Sequence, residues 1–513
     1  MSIAKNKQRI GRKAKLQRIT AAVENAAPRI VANGYRPLFG FYKDPDVAQL
    51  RERSLSLLEQ HGVAIDHPGT CQLLLAAGAT EASNNKCLKL PQQLVLEALE
   101  ATPKTATLCA KDPAWDLQLP RLDGTFTMRT GTGTHGFIDP VTGNYRNLML
   151  DDVDTIAHLS NHLDQVGFIS HPFVGGVPEI TADIHGVARL ISQTQKHIWL
   201  QPYEFKNVAY LMRIVAAAAG GEQALRQRPI ASCIATSFTP LELKAMDVEA
   251  IRQANLYGLP IHACSLPTSA GTAPITMPGA VVMAAAEILA MVVISYVFGA
   301  QVPVIATPLV FSLDVRTGRS LQSSIEVMQG ISMAVQLMKT GFGLVTHTYG
   351  AGSDSPAPGP QAQAESALRS QLVSLSGADI LGGVGQLECA TVFSPIQAII
   401  DNELGGMLNK YLQSTPVDDE STAWKDLTNI EPGGNFLSSE HTVRHCRNMY
   451  MPKVFQREDR DTFEANQRRD VLHNAQAVYQ DILQRLQPDK VLTGEQLKEI
   501  EQIVQAANAD IVG

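Results

Sequence analysis

Between residues 125 and 412, short apolar runs rich in β-branched residues alternate with helical patterns of a dozen residues or more, a rhythm that limits the chain to βαβ architecture. Strands are expected at 166–170, 197–201, 230–235, 260–265, 302–307, 343–348 and 378–383. Helices are expected at 180–193, 205–218, 241–257, 278–297, 321–340, 362–376 and 394–412. An eighth strand is read at 125–131, with its helix at 151–163. Eight parallel strands with crossover helices close into a (β/α)8, or TIM, barrel. A doubly wound sheet stays open if the first strand belongs elsewhere. It gains no support from Gly131-Thr132-Gly133, which lacks the third glycine of a dinucleotide fingerprint and does not open a helix.

The barrel is expected over 121–415, with three further segments around it. Residues 1–40 read as a basic, flexible tail, with Lys5, Lys7, Arg9 and Arg12 but no apolar run of a secretory signal. Residues 41–120 read as a helical N-terminal segment, with helices at 47–61, 71–77 and 91–101. Residues 416–513 read as a polar helical C-terminal extension, with helices at 438–448, 457–486 and 494–509. A hairpin with its turn at 140–143 lies between.

Residues 279–298 are nearly all apolar and long enough to span a bilayer. They are Ala-rich, carry Glu287 at the centre and run almost at once into a strand, so a buried helix is expected and no membrane contact. That helix leaves room for a subunit contact, and a homo-oligomer is expected. A net charge of −7 argues against a nucleic-acid footprint. Seven scattered cysteines without a CxxC pair read as reduced thiols of a cytoplasmic protein.

Reacting residues of such a barrel stand at the C-terminal ends of the strands and in the loops beyond. That rule selects His135, His171, Gln201, Tyr203, Ser237, Ser265, His347, Tyr349, Asp354, Gln386 and Glu388. Residues 341–355 are the richest stretch, because their glycines would let backbone approach a ligand closely. His441 and His445 have the i, i+4 spacing of a zinc helix, but Thr442 stands where zinc proteases place Glu. The pair therefore reads as structural, and no metal is expected.

Several stretches resemble the trimethylamine methyltransferase family, in that family's order, over about residues 45–465. They are LEQHGVAIDHP (58–68), KLPQQLVLEAL (89–99), GTGTHGFIDPVTGNYR (131–146), PITMPGAVVMAAAEILA (274–290), GSDSPAPGPQAQAE (352–365), QLECATVFSPIQAIIDNELGGML (386–408) and EHTVRHCRNMYMPKVFQR (440–457). The resemblance implies a TIM barrel that moves a methyl group from a methylamine to the cobalt of a corrinoid (cobalamin) carried on a separate protein, with no cofactor bound directly. Trimethylamine-using members carry pyrrolysine near what are residues 346–349 here. This chain has only ordinary residues, as do relatives that demethylate quaternary amines such as glycine betaine.

A quaternary ammonium already has a neutral amine as leaving group, so its methyl needs no acid catalyst. Glu388, His347 and Tyr349 are the expected catalytic residues. Tyr203, His171, Gln201, Asp354, Gln386, Arg129 and His135 are the expected binding residues, with aromatic faces and a carboxylate holding the cation. Trimethylamine, carnitine or proline betaine as donor, and a non-catalytic amine-binding barrel, remain alternatives.

Overall fold

The structure, a computed structural model, describes residues 34–82, 87–299, 302–485 and 492–513. Most of the expected basic tail lies outside these residues. From its last part onward the chain is docked: Arg36 donates to the carbonyls of Ser374 and Ala378, and Phe39 N–H donates to Leu375 O.

Three helices follow: α1 (Asp44–Gln60), α2 (Pro68–Ala76) and α3 (Gln92–Ala101). Helix α2 starts earlier than its apolar pattern suggests because His67 caps it, accepting from Thr70 N–H, with Pro68 in the first turn.

The barrel strands are β1 (Thr127–Thr130), β2 (Val166–Ser170), β3 (His197–Leu200), β4 (Ala231–Thr236), β5 (Ile261–Ser265), β6 (Val304–Pro308), β7 (His347–Tyr349) and β8 (Ile380–Val384). They lie side by side in the order β6-β5-β4-β3-β2-β1-β8-β7, all parallel. A parallel bridge between Ala306 and Thr346 joins β6 to β7 and closes the ring. This excludes the doubly wound alternative. The strand expected at 343–348 is reduced to three residues. Gly343 and Leu344 still donate back to Lys339 O and Met338 O, at the π-helical end of the preceding helix.

The helices are α4 (Asp152–Asn161), α5 (Ala182–Gln193), α6 (Phe205–Ala219), α7 (Ala245–Tyr257), α8 (Met277–Val297), α9 (Ile325–Gln336), α10 (Pro360–Leu375) and α11 (Pro395–Leu412). Two begin later than their periodicity suggests. Glu242 and Leu243 pair instead with Ala64 and Ile65, tying the N-terminal segment to the barrel. Arg319–Leu321 pairs with Phe311–Asp314 at the rim, and Ser324 then caps α9. Past the barrel, α12 (Val471–Gln484) packs on α11 and α4, and α13 (Gly494–Ile511) packs on α6 and α5. The long helix expected at 457–486 is split by Gln467 and Arg468, both at positive φ.

Among the described residues α8 is the one helix long and apolar enough to cross a membrane, and most of it is buried in the fold. Its outer side is covered by α1, α3 and α9. The chain's own N-terminal segment thus occupies the face that was expected to leave room for a subunit. Glu287, sealed within α8, accepts from Ser237 and Ser265 Oγ (both 2.5 Å), Thr239 Oγ1 (2.8 Å) and Leu241 N–H (2.8 Å). Four donors are what let a carboxylate stay in an apolar helix.

Candidate active site

Alternate residues of the barrel strands point inward. Here the interior holds Phe168, Trp199, Ile234, Cys264, Ile305 and Ile380, packed with the hairpin Ala106–Leu108/Leu117–Leu119 that plugs the ring. Set into this apolar filling is a continuous polar line. Arg129 Nε donates to His347 Nε2 (3.1 Å), and His347 Nδ1 faces His262 Nδ1 (3.1 Å). His262 Nε2 lies 3.1 Å from Ser232 Oγ, which lies 2.9 Å from His197 Nε2; His197 Nδ1 is 2.8 Å from the Cys109 carbonyl.

The two ends determine every proton between them. A guanidinium N–H can only donate and a carbonyl can only accept. So His347 is protonated on Nδ1 and donates to His262, which is protonated on Nε2 and donates to Ser232. Ser232 in turn donates to His197, which is protonated on Nδ1. All three imidazoles are neutral in this arrangement. Burial and the adjacent Arg129 charge push His262 and His347 well below the usual histidine range, and burial brings His197 down to about 4.

Arg129 lies 4.0 Å over the Trp199 ring and also donates to Thr130 O (2.6 Å) and Ser170 Oγ (3.3 Å). A second sealed guanidinium, Arg369 of α10, stands beside the same cluster. The Tyr349 ring has Arg129 at 5.7 Å and Arg369 at 5.5 Å. Burial lowers both arginines to about 10, so both are charged at neutral pH. Among the described residues Arg129 Nη2 and all three Arg369 nitrogens have no hydrogen-bond partner, and neither guanidinium contacts a carboxylate. Asp354 is the carboxylate whose charge Arg369 feels most strongly.

Comparison with known proteins places this barrel. The family described as trimethylamine methyltransferase (MTTB) matches residues 8–511. The chain belongs to the trimethylamine methyltransferase family. It is 27% identical over 475 residues to the trimethylamine methyltransferase MttB of Desulfitobacterium hafniense, covering 92% of this chain and 94% of that one. It is 27% identical to MttB of Methanosarcina barkeri strain Fusaro, over 89% of this chain and 92% of that one. It is 24% identical to the glycine betaine methyltransferase of D. hafniense strain Y51, over 88% and 94%. The crystal structure of the hydroxylamine MtmB complex overlaps 86% of this chain and 94% of its own, with a TM-score of 0.46 and 14% identity. As a member of this family the chain is a methyltransferase.

In this family member six of the residues singled out in the sequence, Arg129, His347, Tyr349, Gln386, Gln201 and His171, lie along one buried polar path. Tyr349 stands beside Arg129 and Gln386. Gln386 Nε2 donates to Thr132 O (2.5 Å), and Thr132 Oγ1 donates to Gln201 Oε1 (2.6 Å). Gln201 N–H donates to His171 Nε2 (3.3 Å), whose ring lies 5.7 Å from that of Tyr203. Burial holds His171 neutral, at about 4.

Tyr203 and exposed His135 line a separate cavity of about 830 Å3, together with Phe173, Glu179 and Glu204. Glu388 sits on the rim: it begins a run of three positive-φ residues, and its carboxylate is 3.9 Å from Arg319. Asp354 accepts from the backbone N–H groups of Gln322 and Ser323 (both 2.9 Å). Ser237 and Ser265 serve Glu287.

Sequence reasoning missed Trp199, Ser232, His262, His197 and Arg369. The first four carried a readable signal, since each is a polar or aromatic residue within a strand otherwise built of small and branched apolar side chains. Arg369 gave none, because a lone arginine on a helix ordinarily faces water.

Proposed function

We propose that this methyltransferase takes a methyl group from a zwitterionic quaternary amine, glycine betaine or a similar carboxylate-bearing betaine, and passes it to the cobalt of a corrinoid on a separate cytoplasmic protein. The observation that carries this reading is the pair of sealed, unpaired guanidiniums of Arg129 and Arg369 around Tyr349. A bare ammonium about 6 Å from one such charge is repelled by roughly 3 kcal/mol at an effective dielectric near 20. A betaine brings the carboxylate that both arginines lack, with bidentate geometry available at Arg369 and the free Nη2 at Arg129. Both guanidiniums are closed off from solvent, so entry requires covering side chains such as Gln386 to swing aside.

The neutral relay agrees with this donor. His347 and His262 hold their protons in fixed hydrogen bonds and are poor acids, and a quaternary amine needs none. The relay would instead fix Arg129, while Tyr349 and Trp199 present ring faces to the N-methyl groups. The partner's reduced cobalt would supply the nucleophile, and the C–N bond would break with its electron pair leaving on the neutral tertiary amine. The chain contributes orientation and exclusion of water. Glu388 and Arg319 stand at the rim, where the methyl acceptor would approach.

The test mixes the purified chain with reduced cobalamin and glycine betaine, carnitine, proline betaine or trimethylamine, and follows the methylcobalamin spectrum. Betaines are expected to react and trimethylamine is not. Arg369→Met should lower the affinity for the betaine at least tenfold. Reaction with trimethylamine alone, or an unchanged Arg369→Met enzyme, would refute the proposal.

A further inference from the structure

We infer that Glu420, His441 and His445 form a structural binding site for a divalent transition-metal ion of zinc type, which staples the segment joining α11 to α12. One ligand atom from each of the three side chains lies within 4.8 Å of the other two. The histidines come from the short helix Glu440–His445, where i, i+4 spacing brings their rings to 4.4 Å. Glu420 arrives from a turn pinned by Asp418, which accepts from Ser421 N–H and Thr422 N–H.

The details of the cluster suit a cation better than a simple ion pair. His441 Nε2 is sealed from solvent and has no partner among the described residues, an unused lone pair or proton aimed into protein. His445 Nε2 lies 2.8 Å from Glu420 Oε1, and Nδ1 lies 3.1 Å from Asn448 Nδ2, an amide whose flip would turn its oxygen toward the Nδ1–H of an imidazole bound through Nε2. Metal-binding imidazoles usually donate their other ring N–H to such an oxygen. Arg444 grips Glu420 at both oxygens (3.0 and 3.2 Å). It can hold one oxygen while the other turns to the ion. Two imidazoles and a carboxylate, with water in the fourth position, make a tetrahedral set that Zn2+ accepts and Mg2+ or Ca2+ does not favour.

The surroundings give the site a purpose. From 413 to 453 no residue is buried, so hydrophobic contact cannot hold this stretch in place. It is tied down only at its far end, where Tyr450 Oη and Lys453 N–H donate to Glu403 of α11 and Val454 is buried. A metal that joins residue 420 to residues 441 and 445 closes the loop in between, the role such ions play where a core is missing. The missing glutamate of the zinc-protease helix is then no objection, because a structural site has no need of a general base.

The experiment uses the full chain without a histidine tag, stripped with a chelator and titrated with Zn2+ against a chromophoric competitor, and with Co2+ as a spectroscopic probe. One equivalent of Zn2+ is expected, with tetrahedral-type Co2+ absorption and slower proteolysis within 413–453. His441→Ala and Glu420→Gln should each weaken binding tenfold or more, while His473→Ala, at an exposed histidine elsewhere, should not. Binding of less than a tenth of an equivalent, or binding that both variants leave unchanged, would overturn the inference. If His441→Ala fails to fold, the wild-type stoichiometry and Glu420→Gln decide.

Discussion

Replacing Ser232 by Ala removes one oxygen from the middle of the barrel relay and leaves both neighbouring histidines unsatisfied. Ser232 Oγ accepts from His262 Nε2–H and donates to His197 Nε2. Re-tautomerising cannot repair the loss. Moving the His262 proton to Nδ1 would force His347 to accept there and to carry its own proton on Nε2, against the Arg129 Nε–H. Each buried polar group left alone costs about 1–3 kcal/mol, so Ser232→Ala is expected to destabilise the fold by about 2–6 kcal/mol. Ser160 provides the control: its hydroxyl is equally sealed but has no partner among the described residues. Ser160→Ala removes a hydroxyl that already lacks a partner, so it should leave stability unchanged or raise it by up to about 3 kcal/mol. Urea unfolding followed by tryptophan fluorescence, to which Trp199 contributes beside the relay, measures both. Equal stabilities for the two variants would refute the assigned proton order.

Three more outcomes are expected. A Cβ on Gly382 would lie 2.5 Å from Arg129 Nη2 and 3.0 Å from His347 Nε2, so Gly382→Ala should separate that pair and cost about 1–3 kcal/mol; an unchanged unfolding midpoint would contradict it. Glu287→Leu strands three hydroxyls and the Leu241 N–H, and a loss of about 3 kcal/mol or more is expected by the same denaturation assay. His171 has a folded pKa of about 4, below its unfolded value near 6.5, so the unfolded chain takes up its proton first. Its contribution is complete above pH 6.5 and fades as the pH falls toward 4, by about 2 kcal/mol at pH 5. His171→Gln should lose about 2 kcal/mol less than the parent between pH 7 and pH 5, and equal losses would rule this out.

The barrel was legible because its pattern is local. Runs such as residues 166–170 and 197–200 are buried along their whole length, and only parallel strands covered on both faces have that composition. The departures came where a distant partner outbid local preference. Glu242 and Leu243 read as helix, yet they pair with a strand nearly two hundred residues earlier. Residues 343–345 read as strand, yet two of them finish the preceding helix. The rule of strand C-termini selected His347, Tyr349, Gln201 and His171, which the fold brings onto one buried polar path. It also picked Ser237 and Ser265, whose hydroxyls turn to Glu287 instead.

The order of strands and helices, the scatter of cysteines without a CxxC pair and the family resemblance all follow from residue types and spacings along the chain. Chemical state did not. Arg369 reads as a solvated helix residue, and His262 and His197 read as ordinary buried side chains, until closure of the ring sets them against Tyr349, His347 and Ser232. Charge, tautomer and pairing depend on which groups are excluded from water together, and that is settled only when strands far apart in sequence become neighbours.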